Sequence, residues 1–112
     1  MLVLFDNGTP APLRHALTGH TVVETIERGW DRLTNGESIA EAEAAGFELL
    51  LTTDKNMRYQ QNLKGRRIAF AVIGNQQWLT LRRYVDRVAV AVNAATPGSY
   101  KEVEIPFHRG VD

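Results

Sequence analysis

Residues 49–54 read LLLTTD, an apolar run that ends in an aspartate, and residues 2–6 read LVLFD in the same way. Continuous apolar runs of this length, bounded by turn residues, predict strands that are buried on both faces of a parallel sheet. Asp6 and Asp54 therefore each follow the end of a predicted strand. Two such carboxylates that meet would favour a divalent metal ion. The alternative, equally supported by the pattern, is that each aspartate caps a turn or a helix after its strand.

The composition is that of one ordinary globular domain. The chain has 112 residues, 44% of them hydrophobic and 23% charged, and its formal net charge is zero. We expect a single domain over 1–112, with 107–112 as its least ordered part. Balanced charge gives no global attraction to nucleic acid or to a membrane, and the absence of cysteine excludes disulfides, thiolate zinc sites and cysteine nucleophiles. No apolar stretch reaches the length of a membrane span, so we expect a cytoplasmic protein.

The order of the predicted elements indicates the fold class. Strands are predicted at 2–5, 21–25, 49–53, 68–73 and 100–105, the last as an edge strand. Helices are predicted from Pro10 to about Leu17 with Thr9 as cap, from Thr34 or Asn35 to Gly46, and as one long helix through Leu81 and Ala95. Alternation of strands and helices predicts an α/β fold, with three α/β/α layers around a mainly parallel sheet.

The strand order is predicted as 2-1-3-4, a choice made partly to bring the two aspartates together. This order places the first two helices on opposite faces of the sheet. It also makes the gap between the first and third strands a topological switch point, where open α/β sheets bind ligands beyond the carboxyl ends of their strands.

A third carboxylate follows the Asn35-Gly36 pair. Glu37 lies in the first turn of the second predicted helix, from which it could complete an acidic triad with Asp6 and Asp54. The alternative is a helix-start carboxylate that the helix dipole stabilises, and this interpretation is the stronger of the two without other information. Clustered carboxylates repel one another unless protons or a cation intervene, and their hard oxygens favour Mg²⁺ or Mn²⁺.

Three segments resemble the PIN-like nucleases. They read LFDN at 4–7, NGE at 35–37 before IAEA at 39–42, and LTTDKN at 51–56. The chain is most similar to the small, uncharacterised PIN-like proteins found beside toxin–antitoxin genes, over about residues 1–75. The resemblance implies a metal-dependent endoribonuclease whose partner is a small antitoxin-like protein. It also implies that the catalytic and metal-binding residues are Asp6, Glu37 and Asp54.

Three asparagines depart from the family's acidic pattern. Asn7, Asn35 and Asn56 stand where many relatives carry an acidic residue, and they would form a secondary set of ligands. An amide oxygen can ligate a metal ion but brings no charge. We therefore expect weaker metal affinity than in a site built from four carboxylates.

Basic and aromatic residues after the third predicted strand could hold RNA. The candidates are Lys55, Arg58, Tyr59, Arg66 and Arg67. Basic side chains would contact phosphates, and a tyrosine could stack on an unpaired base. The alternative, which the sequence slightly favours, is a solvated loop whose tyrosine packs on the domain.

Two other classes of protein remain open. A receiver-like signalling domain also places aspartates after its first and third strands, but it carries an acidic pair at the first strand and a hydroxyl residue at the end of the fourth. Here Asp6 precedes Asn7, and the fourth strand ends in Ile73-Gly74. A catalytically inactive PIN-like binding module is the other alternative. A homodimer through the edge strand at 100–105 or through the last helix is a modest expectation.

Overall fold

The computed structural model describes residues 1–57, 63 and 65–106, and the side chain of Asn35 lies outside that description. The expected disorder of 107–112 therefore concerns residues outside the described ranges. Within those ranges, no helix is both long and apolar enough to cross a membrane.

The described elements comprise five strands, three α-helices and three short 3-10 helices. The strands are β1 (Leu2–Phe5), β2 (Thr21–Glu24), β3 (Leu49–Thr52), β4 (Ala69–Ile73) and β5 (Tyr100–Val103). The α-helices are α1 (Asn35–Ala44), α2 (Trp78–Leu81) and α3 (Val85–Asn93). The 3-10 helices span Ala11–Ala16, Thr25–Arg28 and Arg82–Tyr84.

The sheet is parallel throughout and has the order β2-β1-β3-β4-β5. The predicted order 2-1-3-4 is confirmed, and β5 extends the sheet beyond β4 as the predicted edge strand. The register pairs Phe5 with Leu51 and Leu51 with Ala71. This pairing brings the carboxyl ends of β1 and β3 side by side, at the switch point of the strand order.

Each face of the sheet has its own apolar core, because side chains alternate between faces along each strand. One core contains Phe5, Leu51 and Leu13, and the segment from α2 to α3 covers it. The other contains Leu4 and Leu50 beneath α1. The first two helical segments thus pack on opposite faces, as predicted.

Helix α1 is defined by local sequence at both ends. Thr34 and Glu37 form a reciprocal capping box at its start. At its end, Gly46 takes a φ of 88°, and the N–H of Phe47 donates to the carbonyl of Ala42. A left-handed glycine with this hydrogen bond is the Schellman ending, which satisfies carbonyls that the helix leaves unpaired.

Two predicted helices differ from the structure. The first is a 3-10 helix with Pro10 as N-cap, and Thr9 instead donates its hydroxyl to the carbonyl of Leu51 at 3.1 Å. The N–H of Leu13 donates to the carbonyl of Pro10 and that of Leu17 to the carbonyl of Arg14, the three-residue spacing of a 3-10 helix. The predicted long helix is divided into α2, a 3-10 turn and α3, because Tyr84 leaves the helical region at φ −125° and ψ 20°.

Candidate metal site at the switch point

Asp6 and Asp54 lie at the carboxyl edge of the sheet, on neighbouring strands. Asp6 follows β1, and its N–H donates to the carbonyl of Leu51 at 2.9 Å, which extends the ladder between β1 and β3. Asp54 follows β3 by two residues, and both aspartates are half-buried. The structure therefore brings together the two carboxylates that the sequence singles out.

The electrostatics of Asp6 reflect this position. Burial is the largest influence and raises the pKa of Asp6, and the negative charge of Asp54 raises it further. Hydrogen bonds from the Thr52 hydroxyl and from the backbone of Asn7 act in the opposite direction, but the net pKa lies above the ordinary 3.8. A proton or a cation would relieve the repulsion between these two carboxylates.

Asp54 also performs the turn-capping role considered for it. Its Oδ1 accepts the N–H of Asn56 at 2.9 Å, and its carbonyl accepts the N–H of Met57 at 3.3 Å. An aspartate that binds the backbone two residues ahead forms an Asx turn. The turn fixes the direction of the carboxylate.

Of the three asparagines predicted as secondary ligands, Asn7 and Asn56 have described side chains. Asn7 uses both ends of its amide, because Oδ1 accepts the hydroxyl of Thr25 at 2.8 Å and Nδ2 donates to the carbonyl of Asp31 at 2.8 Å. It therefore ties the loop after β2 to the end of β1. Asn56 contributes its backbone N–H, and its side chain is exposed. The side chain of Asn35 lies outside the described part of the structure.

Glu37 lies at the end of α1 nearest the carboxyl edge, but its carboxylate turns back onto its own helix. Oε1 accepts the N–H of Thr34 at 2.9 Å, and the Thr34 hydroxyl accepts the N–H of Glu37 at 3.3 Å. Hydrogen bonds from Thr34 lower the pKa of Glu37, whose side chain is exposed. The helix-start role considered for Glu37 is therefore present in the structure.

The donor set suits a hydrated metal ion better than a closed protein cage. Among residues 1–57, 63 and 65–106, no three histidine, cysteine or acidic side chains are grouped so as to hold a metal ion. Mg²⁺ commonly retains several waters and binds proteins through one or two carboxylates. Asp6 and Asp54 fit that requirement.

The structure separates the basic residues that the sequence groups together. Lys55 lies at the carboxyl edge, where its side chain passes close to Gly74. Arg66 and Arg67 precede β4 and so lie at the amino edge, about 20 Å away at 3.3 Å per strand residue. Residues grouped by sequence distance therefore lie at opposite edges of the sheet. Arg58 and Tyr59 lie outside the described residues.

Arg66 is held at the amino edge by an ion pair. Its Nη1 lies 3.1 Å from Oε1 of Glu43, whose Oε2 accepts the N–H of Arg67 at 2.7 Å and of Ile68 at 3.3 Å. Burial acts to raise the pKa of Glu43, but these hydrogen bonds and the charge of Arg66 outweigh it and lower the pKa. The guanidinium of Arg66 is thus committed to an internal contact.

Sequence reasoning missed two residues. Thr52 lies between the two aspartates and is fully buried. Arg87 lines a cavity of about 370 Å³ together with Lys55 at the ends of β4 and β5. Alternation along β3 could have indicated Thr52, since it shares a face with Asp54, whereas nothing local in the sequence links Arg87 to Lys55.

Comparison of the chain with known protein families, with curated proteins and with solved structures gave no match.

Proposed function

We propose that this chain is a Mg²⁺- or Mn²⁺-dependent endoribonuclease of PIN-like type, in which Asp6 and Asp54 hold the metal ion. One observation carries the proposal: two half-buried aspartates whose charges interact follow neighbouring strands, at the switch point of a parallel sheet. The resemblance of LFDN, NGE and LTTDKN to PIN-like nucleases supports the same assignment. A toxin role with a small antitoxin-like partner belongs to this proposal.

The raised pKa of Asp6 supports a cation at this position. Burial and the charge of Asp54 both disfavour the ionised form of Asp6. A divalent ion beside the pair would offset both effects. When bound, such an ion stabilises the charge that develops on a phosphodiester during hydrolysis. Glu37 would add a third carboxylate only if it left the capping box with Thr34.

Lys55 is the basic residue best placed to hold a phosphate beside this pair. It follows Asp54 directly, is exposed, and lines the cavity of about 370 Å³ together with Arg87. Phosphate contacts from two basic side chains would position the RNA backbone without reading its sequence. Arg58 and Tyr59 remain predicted RNA contacts.

Cleavage of a single-stranded RNA in the presence of Mn²⁺ tests the proposal. Wild-type protein should cleave it and stop when EDTA is added, and Asp54→Asn should cleave no faster than the EDTA control. Asparagine retains an oxygen for the N–H of Asn56, so this variant should keep the Asx turn. Asp86→Asn is the matched control, because Asp86 is exposed on α3 and the substitution is the same.

Equal cleavage by wild type and Asp54→Asn would refute the role of Asp54. Mn²⁺ binding without cleavage of any RNA would instead favour the catalytically inactive binding module.

A receiver-like domain is a second candidate, favoured by the strand order alone. The order 2-1-3-4-5 is that of flavodoxin-like sheets, which receiver domains share. However, β4 ends in Ile73 and is followed by Gly74, where a receiver would carry a hydroxyl residue. Incubation with acetyl phosphate and Mg²⁺ distinguishes a receiver-like domain from a nuclease. A mass increase of one phosphoryl group, lost in Asp54→Asn, would favour the receiver.

A further inference from the structure

Thr52 is a polar residue in a fully buried position. It is the last residue of β3, and its exposed fraction is 0%. The register pairs Phe5 with Leu51, so the next residues on the two strands, Asp6 and Thr52, lie side by side. Both side chains follow the alternation of Leu4 and Leu50 and point to the face that α1 covers.

The hydroxyl of Thr52 joins the two aspartates. It donates to Oδ2 of Asp6 at 2.8 Å and accepts the N–H of Asp54 at 3.1 Å. A backbone N–H can only donate, so the single hydroxyl proton is left for Asp6. The three groups therefore form one chain with a fixed direction, from the Asp54 amide through Thr52 to the Asp6 carboxylate. Consecutive hydrogen bonds of this kind polarise and strengthen one another.

We propose that Thr52 is a positioning residue that fixes the Asp6 carboxylate relative to the backbone of Asp54. The Asx turn with Asn56 orients the carboxylate of Asp54, and Thr52 performs the corresponding task for Asp6. The importance of Thr52 for metal binding rests on the proposed function. Its role in positioning the Asp6 carboxylate does not depend on that function.

A pair of substitutions separates the hydroxyl from the rest of the side chain. Thr52→Val keeps the shape but removes the hydroxyl, and Thr52→Ser keeps the hydroxyl but removes the methyl group. Nuclear magnetic resonance of the labelled protein reports the two hydrogen bonds directly, through the Hα–Hβ couplings of Asp6 and the exchange rate of the Asp54 amide. Calorimetric titration with MnCl₂ then measures the consequence for metal affinity.

Wild type and Thr52→Ser should show one Asp6 rotamer and a protected Asp54 amide. Thr52→Val should show averaged couplings and faster amide exchange. Its Mn²⁺ dissociation constant should rise about tenfold, as it does when a residue that orients a metal ligand is lost, and Thr52→Ser should restore most of the affinity.

The outcomes distinguish this inference from the proposed function. Unchanged Asp6 couplings and Asp54 exchange in folded Thr52→Val would overturn the positioning role. Unchanged Mn²⁺ affinity where wild type binds the ion would refute the importance of that role for metal binding. If wild type takes up no Mn²⁺, while Thr52→Val shows averaged Asp6 couplings and faster exchange of the Asp54 amide, the proposed function is refuted. The positioning role then remains intact. If Thr52→Val does not fold, a single Asp6 rotamer and a protected Asp54 amide in Thr52→Ser support the role, and their loss there overturns it.

Discussion

Replacing Glu43 by glutamine should lower the free energy of unfolding by about 2 kcal/mol at pH 7, because glutamine cannot satisfy all the donors around this position. One carboxylate oxygen accepts the N–H groups of Arg67 and Ile68, and the other binds the guanidinium of Arg66. Glutamine has one oxygen and one NH₂. In either orientation of the glutamine amide, its NH₂ group faces another donor: the guanidinium of Arg66, or the N–H groups of Arg67 and Ile68.

The magnitude follows from the three contacts. A hydrogen bond to a charged group contributes about 1.5–3 kcal/mol and a neutral one about 0.5–1.5, so each retained bond weakens by about 1 kcal/mol. The Glu43 side chain is 25% exposed, which allows water to compensate part of the loss. For a domain of this size, about 2 kcal/mol corresponds to a decrease in melting temperature of roughly 8 °C.

The effect should depend on pH with a definite sign. The pKa of Glu43 is lowered from its ordinary 4.5, despite the opposing effect of burial. A carboxyl group with a lowered pKa in the folded state stabilises the protein above its unfolded pKa, and this contribution is lost as the pH falls through the folded value. The difference between wild type and Glu43→Gln should therefore shrink as the pH falls below 4.5.

Urea unfolding followed by circular dichroism at pH 7 and pH 3 measures both effects. Glu41→Gln is the matched control, because Glu41 is exposed on the same helix and the substitution removes the same charge. Equal stability of Glu43→Gln and wild type at pH 7, or a difference that persists unchanged at pH 3, would show that the reasoning about this carboxylate is wrong.

Substitutions at three further positions test other parts of the structure. Asn7→Asp should lower the unfolding free energy by about 1 kcal/mol in urea titrations, since a carboxylate cannot donate to the carbonyl of Asp31; an increase would contradict the described amide orientation. Glu37→Ala should lower the melting temperature at pH 7 and Glu37→Gln should not, because glutamine can still accept the N–H of Thr34; equal losses would assign the effect to charge. Gly98→Ala should cost about 1–2 kcal/mol in the same urea assay, since Gly98 has a φ of 76° that a side chain disfavours; an unchanged midpoint would contradict that backbone conformation.

Much of the site could be predicted from short stretches of sequence. The apolar runs at 2–5 and 49–52 specify buried strands, and each is followed closely by an aspartate. The spacing of Thr34 and Glu37 is itself that of a capping box, and the structure contains that box. Local patterns can predict such features because their hydrogen bonds and burial involve residues close in sequence.

The placement of Arg66 and Arg67 could also have been deduced, but from topology. A parallel strand requires the chain to return to the amino edge before it starts. Residues just before β4 therefore cannot stay beside residues just after β3. Grouping Lys55 with Arg66 by sequence distance ignored this crossover.

The sequence alone determined that Asp6 and Asp54 each come after a buried strand. Only the tertiary structure decided that these two meet, because their proximity depends on β1 and β3 being neighbours in a register that pairs Phe5 with Leu51. The same register brings Thr52 against Asp6, and a shift of one residue would turn its hydroxyl to the other face of the sheet. Residues distant in sequence acquire a common site through strand pairing, which no local pattern specifies.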